Sequence, residues 1–359
     1  RISYQKNFGS NKLKFNKLGN SELQVSSYCL GSMTWGEATS EDDGHWQLDF
    51  SLENGINFVD TAEMYPTNPL RKETAGDTEK IIGNWLRKRK KRDDIIIATK
   101  VVGIGNKTVR EGKPINEHTI EEALTKSLKR LNTDYIDLYQ LHWPNRGSYH
   151  FRQNWKYNPS NQNTKKIKQD IFDILNFLSK KVKEGKIRNI GLSNETAWGT
   201  MQFIKIANEN NFDHVVSIQN EYSLLCRFYD TDLAEVSHNE NISLLSYSPL
   251  AAGLLSGKYQ DGKVPEKSRL KATPGLMGRF NPRSLLAVAN YLKIAKKYQL
   301  NPVHMALAFC DSRPFMGSTI FGATTNEQLK TIINGLDVEL SDEVLSDLDK
   351  VHREFPFPI

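Results

Sequence analysis

Asp, Tyr, Lys and His side chains can together form a proton-transfer unit, and in this chain one of each falls at or just past the end of a strand-like run. Asp60 closes INFVD (56–60), Tyr65 follows within five residues, Lys100 closes DIIIATK (94–100), and His142 lies near the end of YIDLYQLHW (135–143). A free phenol has a pKa of about 10 and is a poor acid at neutral pH. A neighbouring ammonium favours the phenolate and lowers that value, and a carboxylate can hold the ammonium in place. A phenol tuned in this way can protonate an oxygen on which negative charge develops. His142 would orient that oxygen or assist the relay. Read singly, each residue has an ordinary explanation: Asp60 a helix cap, Lys100 a surface lysine, His142 a satisfied core imidazole. Together they need a fold that gathers strand ends at one mouth.

Short apolar runs alternate with helix-period segments along the whole chain. SSYCLGS (26–32) precedes a helical stretch from Ser40 that Gly55 ends. A second helix is expected around 76–90. A third, opened by Thr119 and Glu122 at capping-box spacing, keeps Ile120, Ala123, Leu124, Leu128 and Leu131 on one face. The second half repeats the unit with IRNIGLSN (187–194), VVSIQNEY (215–222), ISLLSYSPL (242–250) and STIFGATT (318–325). Strands that are apolar on both faces and alternate with helices imply a parallel sheet. About eight such units without a linker favour an α/β fold of the (β/α)8 TIM-barrel type over a doubly wound sheet. One domain over 1–359 is expected, with a flexible 1–13, an N-terminal β-hairpin in KFNKLGNSELQVS (14–26) and a C-terminal helix. Residues 144–168 break the rhythm. They are polar, aperiodic and placed after a strand, over the face where barrel active sites are built. A cover for substrate and a mobile surface insertion both fit.

The 359 residues suffice for a large core. The net charge of +6 is spread along the chain, and the basic run 87–92 closes an amphipathic helix, where cations complement the dipole, so no nucleic-acid partner is expected. Cys29, Cys226 and Cys310 fit neither a disulfide framework nor a metal site, which points to a reducing, cytoplasmic compartment. No apolar run reaches the roughly 18 residues of a membrane span. The chain begins at Arg1, so a removed targeting segment stays open. Two glycine motifs fail as nucleotide loops. GIGN (103–106) has Thr108 where a third Gly is needed, and AAGLLSGKY (251–259) has Ala252 and Tyr259 in place of Gly and Ser or Thr.

In order and content, GINFVDTAEMY, IATK, DYIDLYQLHWP, GKIRNIGLSN, SIQNEYSLL, YSPLAAGLLSGKY and GATTNEQL resemble the aldo-keto reductases, NADPH-dependent barrel oxidoreductases. The resemblance runs from about Lys14 to the C-terminal helix and is close to the branch that includes potassium-channel β subunits and related bacterial reductases. It implies that Asp60, Tyr65, Lys100 and His142 are the catalytic set, with Tyr65 as general acid and hydride coming from nicotinamide C4. By the same resemblance, Ser193, Asn194 and Gln219 would hydrogen-bond the nicotinamide carboxamide and Tyr222 would stack on its ring. Ser248, Leu250, Gly253 and Ser256 match the loop that wraps the pyrophosphate, Tyr247 belongs to the cofactor-binding set, and Lys258 and Arg269 would lie near phosphate or adenine. Gly322, Thr324 and Gln328 fall where the adenosine 2′-phosphate is expected, a helix N-terminus suited to an anion. Thr331 and Ile332 replace a Glu-Asn pair that contacts adenine in related barrels, which narrows the expected preference for NADPH over NADH. A small-molecule carbonyl substrate follows, and a homo-oligomer is compatible with the sequence. Two rivals remain: a redox-sensing, channel-associated subunit, which by resemblance would carry Asn at His142, and an aldolase using Lys100 as a Schiff base. Trp35, Trp143 and Tyr65 suggest an aromatic-walled pocket, and core packing explains the two tryptophans as well.

Overall fold

Two periodicities divide the chain: β-branched and aromatic runs too short for helices, and longer amphipathic segments. In the computed structural model, which describes residues 13–359, the chain opens with a hairpin of β1 (Phe15–Lys17) and β2 (Gln24–Ser26). Then follow β3 (Tyr28–Gly31), α1 (Glu41–Glu53), β4 (Phe58–Asp60), α2 (Asp77–Arg89), β5 (Ile96–Val101), α3 (Glu117–Leu131), β6 (Ile136–Leu141) and α4 (Thr164–Lys183). The second half runs β7 (Ile187–Ser193), α5 (Ala197–Asn210), β8 (Val215–Glu221), α6 (Asp232–Glu240), β9 (Ser243–Tyr247), α7 (Arg269–Ala272), α8 (Pro282–Lys297) and α9 (Pro302–Asp311). It ends with β10 (Met316–Phe321), α10 (Asn326–Ile333) and α11 (Asp342–Glu354). Strands β3 to β10 pair in parallel and β10 closes onto β3, giving the eight-stranded barrel that the alternation implies. Of the stretch 1–13 only Leu13 is described, so its expected flexibility lies outside the described residues. No described helix is long and apolar enough to cross a membrane.

Strand alternation sends successive side chains to opposite faces of the wall. Leu30, Val59, Ile97, Tyr139, Leu192 and Ile218 point outward into the layer shared with the helices. Cys29, Phe58, Ala98, Leu138 and Leu245 point inward near the base, joined by Val216 at a register shift in β8 that interrupts its alternation, and Leu18 and Val25 of the hairpin pack among them. The hairpin therefore plugs one end of the barrel. Gly19 in its turn has φ +52°, and a Cβ there would lie 2.3 Å from the Val216 carbonyl oxygen, so the turn presses against β8 in a way other residues would resist.

Several boundaries follow the sequence closely. Ser40 caps α1, and Gly55 follows its C-cap Asn54 with φ +88°. Two differ. The cap of α3 is Asn116, whose Oδ1 accepts from the Thr119 amide at 3.0 Å while Thr119 Oγ1 accepts from the Asn116 amide at 2.9 Å. Thr119 is thus the inner half of the box, and Glu122 pairs with Lys126 instead. Any two short polar side chains at that spacing can close it. The irregular segment after β6 ends at Asn163, the cap of α4, so 164–168 belong to the helix; its lysine-rich first turn masks the period of Ile167, Ile171 and Ile174. The basic run 87–92 is shared between the last turn of α2 and ion pairs of Arg89 with Asp94 and Arg92 with Asp137.

Candidate active site

Toward the other end of the barrel the inward positions turn polar: Ala98 gives way to Lys100 on β5, Leu138 to Gln140 on β6, and Ser217 to Gln219 on β8. The register sets Asp60 beside Ala98, Lys100 beside Gln140, and Gln140 beside Gly191. A Cβ at Gly191 would lie 3.1 Å from Gln140 Cγ, so the glycine leaves the glutamine its space. Lys100, fully buried, donates to Asp60 Oδ2 at 2.6 Å, to the Thr61 carbonyl at 2.8 Å and to Tyr65 Oη at 3.3 Å. Asp60 Oδ1 accepts from Gln140 Nε2 at 3.0 Å and Gln219 Nε2 at 2.9 Å. The chain after β4 turns sharply, with the Tyr65 amide donating to Ala62 at 3.1 Å, which returns the phenol over Lys100. His142, just past β6, places its ring centroid 6.0 Å from that of Tyr65. The four residues expected to act together do meet.

Burying an ammonium is costly unless acceptors surround it. Burial opposes the charge on Lys100, yet Asp60 and Tyr65 outweigh it and hold the ammonium above its ordinary pKa. The phenol behaves differently from the simple expectation. Burial pushes Tyr65 up, and the lowering effect of Lys100 offsets only part of this. Tyr65 therefore keeps its proton at neutral pH, as a donor must. Burial, reinforced by Lys100, pushes His142 well down, so the imidazole is neutral, and its Nδ1 is buried without a hydrogen-bond partner.

The residues expected around a nicotinamide lie next to this cluster, with one exception. Ser193 Oγ donates to the Gln219 carbonyl at 2.9 Å, Asn194 Nδ2 to the His142 carbonyl at 3.0 Å, and Tyr247 Oη to Asn194 Oδ1 at 2.6 Å. The Gln219 amide nitrogen is committed to Asp60 and Gln140. Tyr222 is the exception. It is fully buried, with its ring stacked on Phe309 and its hydroxyl on Asp230 at 2.6 Å, and so offers no face to the mouth. Of the two tyrosines it is Tyr247 that stands there.

After β9 the chain coils tightly, with Ser248, Ala251, Ala252 and Gly253 at φ 52°, 50°, 57° and 94°. The Leu250 carbonyl accepts from the amides of Gly253 and Leu255, and Ser256 Oγ donates to the Gly253 carbonyl at 2.6 Å. A Cβ at Gly253 would lie 2.7 Å from Lys258 Cε, so the glycine makes room for that lysine. Arg269 begins α7. Its guanidinium makes no ion pair among the described residues, and burial, with Arg279 nearby, pushes its pKa down to about 10. At the start of α10, Gln328 Oε1 accepts from the Thr324 amide at 3.0 Å, close to Gly322, where a Cβ would touch only the Gly31 carbonyl oxygen, at 3.8 Å. Thr331 Oγ1 donates to the Glu327 carbonyl, and Ile332 is buried in the core, so neither replaces the missing Glu-Asn pair.

Three features escaped the sequence reading. Gln140 shares Asp60 with Gln219; its signal was its place two residues before His142 on the same strand face. Glu221, at the end of β8, accepts from Arg152 at 2.7 Å and from Arg279 at 2.6 Å, which joins two long loops that carry no periodic pattern. Glu63, so close to Asp60 in sequence, turns away to accept from the Val102 amide at 2.7 Å and from Arg110. Trp35 is core, fully buried against Gln47. Trp143 is half-exposed, its ring centroid 4.9 Å from that of His142.

Comparison with known proteins gives a concordant result. The model of the aldo/keto reductase family matches residues 28–353. Protein tas of Escherichia coli (strain K12) is 43% identical over 350 residues, covering 96% of this chain and 99% of the relative. An uncharacterized oxidoreductase, YrpG, of Bacillus subtilis (strain 168) is 29% identical over 350 residues, with 96% and 97% coverage. An aldo-keto reductase of Babesia bovis is 35% identical over 283 residues, 74% of this chain and 98% of its own length.

Proposed function

The chain belongs to the aldo/keto reductase family and is an oxidoreductase, and from that premise we propose that it reduces aldehydes or ketones to alcohols with NADPH, Tyr65 acting as general acid. The observation that carries this reading is the buried Lys100 ammonium, held by Asp60 at 2.6 Å and in contact with the Tyr65 hydroxyl at 3.3 Å. When bound, the dinucleotide supplies the hydride. Tyr65 gives its proton to the carbonyl oxygen, and Lys100 stabilises the phenolate left behind. Asp60, fixed by Gln140 and Gln219, keeps the ammonium in place. Neutral His142 lies beside Tyr65, ring centroids 6.0 Å apart, where the imidazole can help to orient the substrate oxygen.

The residues of the chain suit an anionic dinucleotide. Arg269 and Lys258 supply cations beside the tight coil at 248–256, and the N-terminus of α10 with Thr324 and Gln328 offers a further anion site. Ser193, Asn194 and Tyr247 would hold the nicotinamide end beside His142. The preference for NADPH over NADH rests on Arg269 and the α10 terminus. Residues 1–359 would act as one barrel domain, with the segment between β6 and α4 over its active-site face.

The test is oxidation of NADPH by a reactive aromatic aldehyde, in wild type and Tyr65→Phe, with a fluorescence titration of NADPH on both. Both should bind, and the variant should lose roughly 10²–10⁴-fold in turnover, the usual contribution of a positioned acid. Binding without turnover in either would favour a redox-sensing subunit. No binding in either would remove the cofactor from the reading.

A further inference from the structure

A cavity of about 1150 Å³ lies beneath the segment between β6 and α4, mostly on the outer side of the barrel wall and reaching Ser193 at the mouth. Its floor is apolar: Ile115, outward-facing Leu141 and Leu192, Ile167 and Ile171 of α4, and Phe203 of α5. Asp60, Tyr65, Lys100 and His142 are absent from its lining. Trp143 is the partition, with its ring tilted against His142 and its surface lining the cavity. This packing needs Gly103, where a Cβ would fall 2.1 Å from Trp143 Nε1.

The rim has a different character. Trp155, 68% exposed, and Tyr157, packed edge-on against Tyr149, line the cavity from the covering segment, an unusual exposure for a residue as large as Trp155. Two of the four lining cations are neutralised, Arg146 by Glu195 and Arg152 by Glu221. Lys156 and Lys166 make no ion pair among the described residues, and Asp170 is the one acid left to face them. The first turn of α4 has no acidic residue, so the positive end of the helix dipole adds to these lysines. An apolar floor under a cationic rim, at the volume of a small-molecule pocket, has the shape and charge of a site for one chemical class.

We propose that this cavity binds an anionic amphiphile, its hydrocarbon body on the isoleucine-rich floor and its acid group at Lys156 and Lys166. The site adjoins the nicotinamide end at Ser193, which lines it, but takes in none of Asp60, Tyr65, Lys100 and His142, and it does not depend on the reductase reading.

Calorimetric titration of the full chain with dodecanoate, and with dodecanol as the uncharged chain of equal length, tests this. Dodecanoate should bind saturably, and dodecanol at least tenfold more weakly. A Lys156→Glu/Lys166→Glu variant, altered only at exposed positions, should bind dodecanoate at least tenfold more weakly while its NADPH titration is unchanged. Ile171→Trp, which fills the floor, should abolish binding; should it not fold, the charge variant carries the test. Saturating aromatic aldehyde should leave dodecanoate bound. Absence of saturable binding, equal affinity for the two ligands, an unaffected charge variant, or displacement by the aldehyde would each overturn the proposal.

Discussion

Lys100 shows how much a single side chain depends on its neighbours. Its ammonium is fully buried and is stable only because Asp60, the Thr61 carbonyl and Tyr65 converge on it. If Tyr65 is the acid, as proposed, it must be protonated for reduction, so activity should be present below the phenol's pKa and lost as pH rises through it. Burial raises that pKa and Lys100 lowers it. Lys100→Met should therefore move the alkaline fall of the pH–rate profile to higher pH, and cut turnover by at least roughly 10²-fold. An unmoved alkaline limb would refute the coupling. At this scale the meeting of the four expected residues was legible, because Asp60, Lys100 and His142 sit at or just past strand ends where alternation fixes their direction and Tyr65 follows β4 in a short turn. The stacking tyrosine was misread for the same reason. Glu221 and Tyr222 are adjacent, and the parity that turns Ser217, Gln219 and Glu221 inward turns Tyr222 out.

At the scale of elements, one carboxylate joins the two loops that frame the mouth. Glu221 holds Arg152, from the segment between β6 and α4, and Arg279, between α7 and α8. Both loops carry left-handed residues where they approach each other: Phe151 and Arg152 on one side, Leu276 and Met277 on the other. Such conformations cost on the order of 1–3 kcal/mol each and persist only where surroundings enforce them. Glu221→Gln leaves two buried guanidinium groups short of a counter-charge and should destabilise the fold by roughly 3–5 kcal/mol, read from denaturant melts at neutral pH. The sign with pH follows from the same pair. Arg279 and Arg152 hold the Glu221 carboxyl below its ordinary value despite burial. Its contribution is thus present above the unfolded pKa of about 4.3 and lost as pH falls through the folded value. The acid limb of stability should flatten in the variant; an equally steep limb would place the effect elsewhere. No local pattern announces this clamp. Its partners are far apart in sequence and lie in aperiodic loops, whereas strands and helices declare themselves by repeats of two and 3.6.

For the molecule as a whole, the hairpin is the piece that makes the barrel one-ended. Leu18 is fully buried among inward-facing residues of the base. Leu18→Ala should cost about 2–5 kcal/mol in thermal or denaturant melts, with the aldehyde reduction of the folded fraction unchanged. A loss of turnover in folded protein would mean that the plug also shapes the mouth. The hairpin was legible from its Gly-Asn turn, but its role as a plug was not, since that depends on contacts with strands some two hundred residues away.

A tube closed at one end imposes a queue. Lys100 and Asp60 lie at the bottom of the open part, with Tyr65 and His142 above them, and every molecule that reaches them passes through the same doorway. Whatever seats itself deepest must arrive first and leave last, so the sequence of arrivals is set by architecture before any affinity is considered.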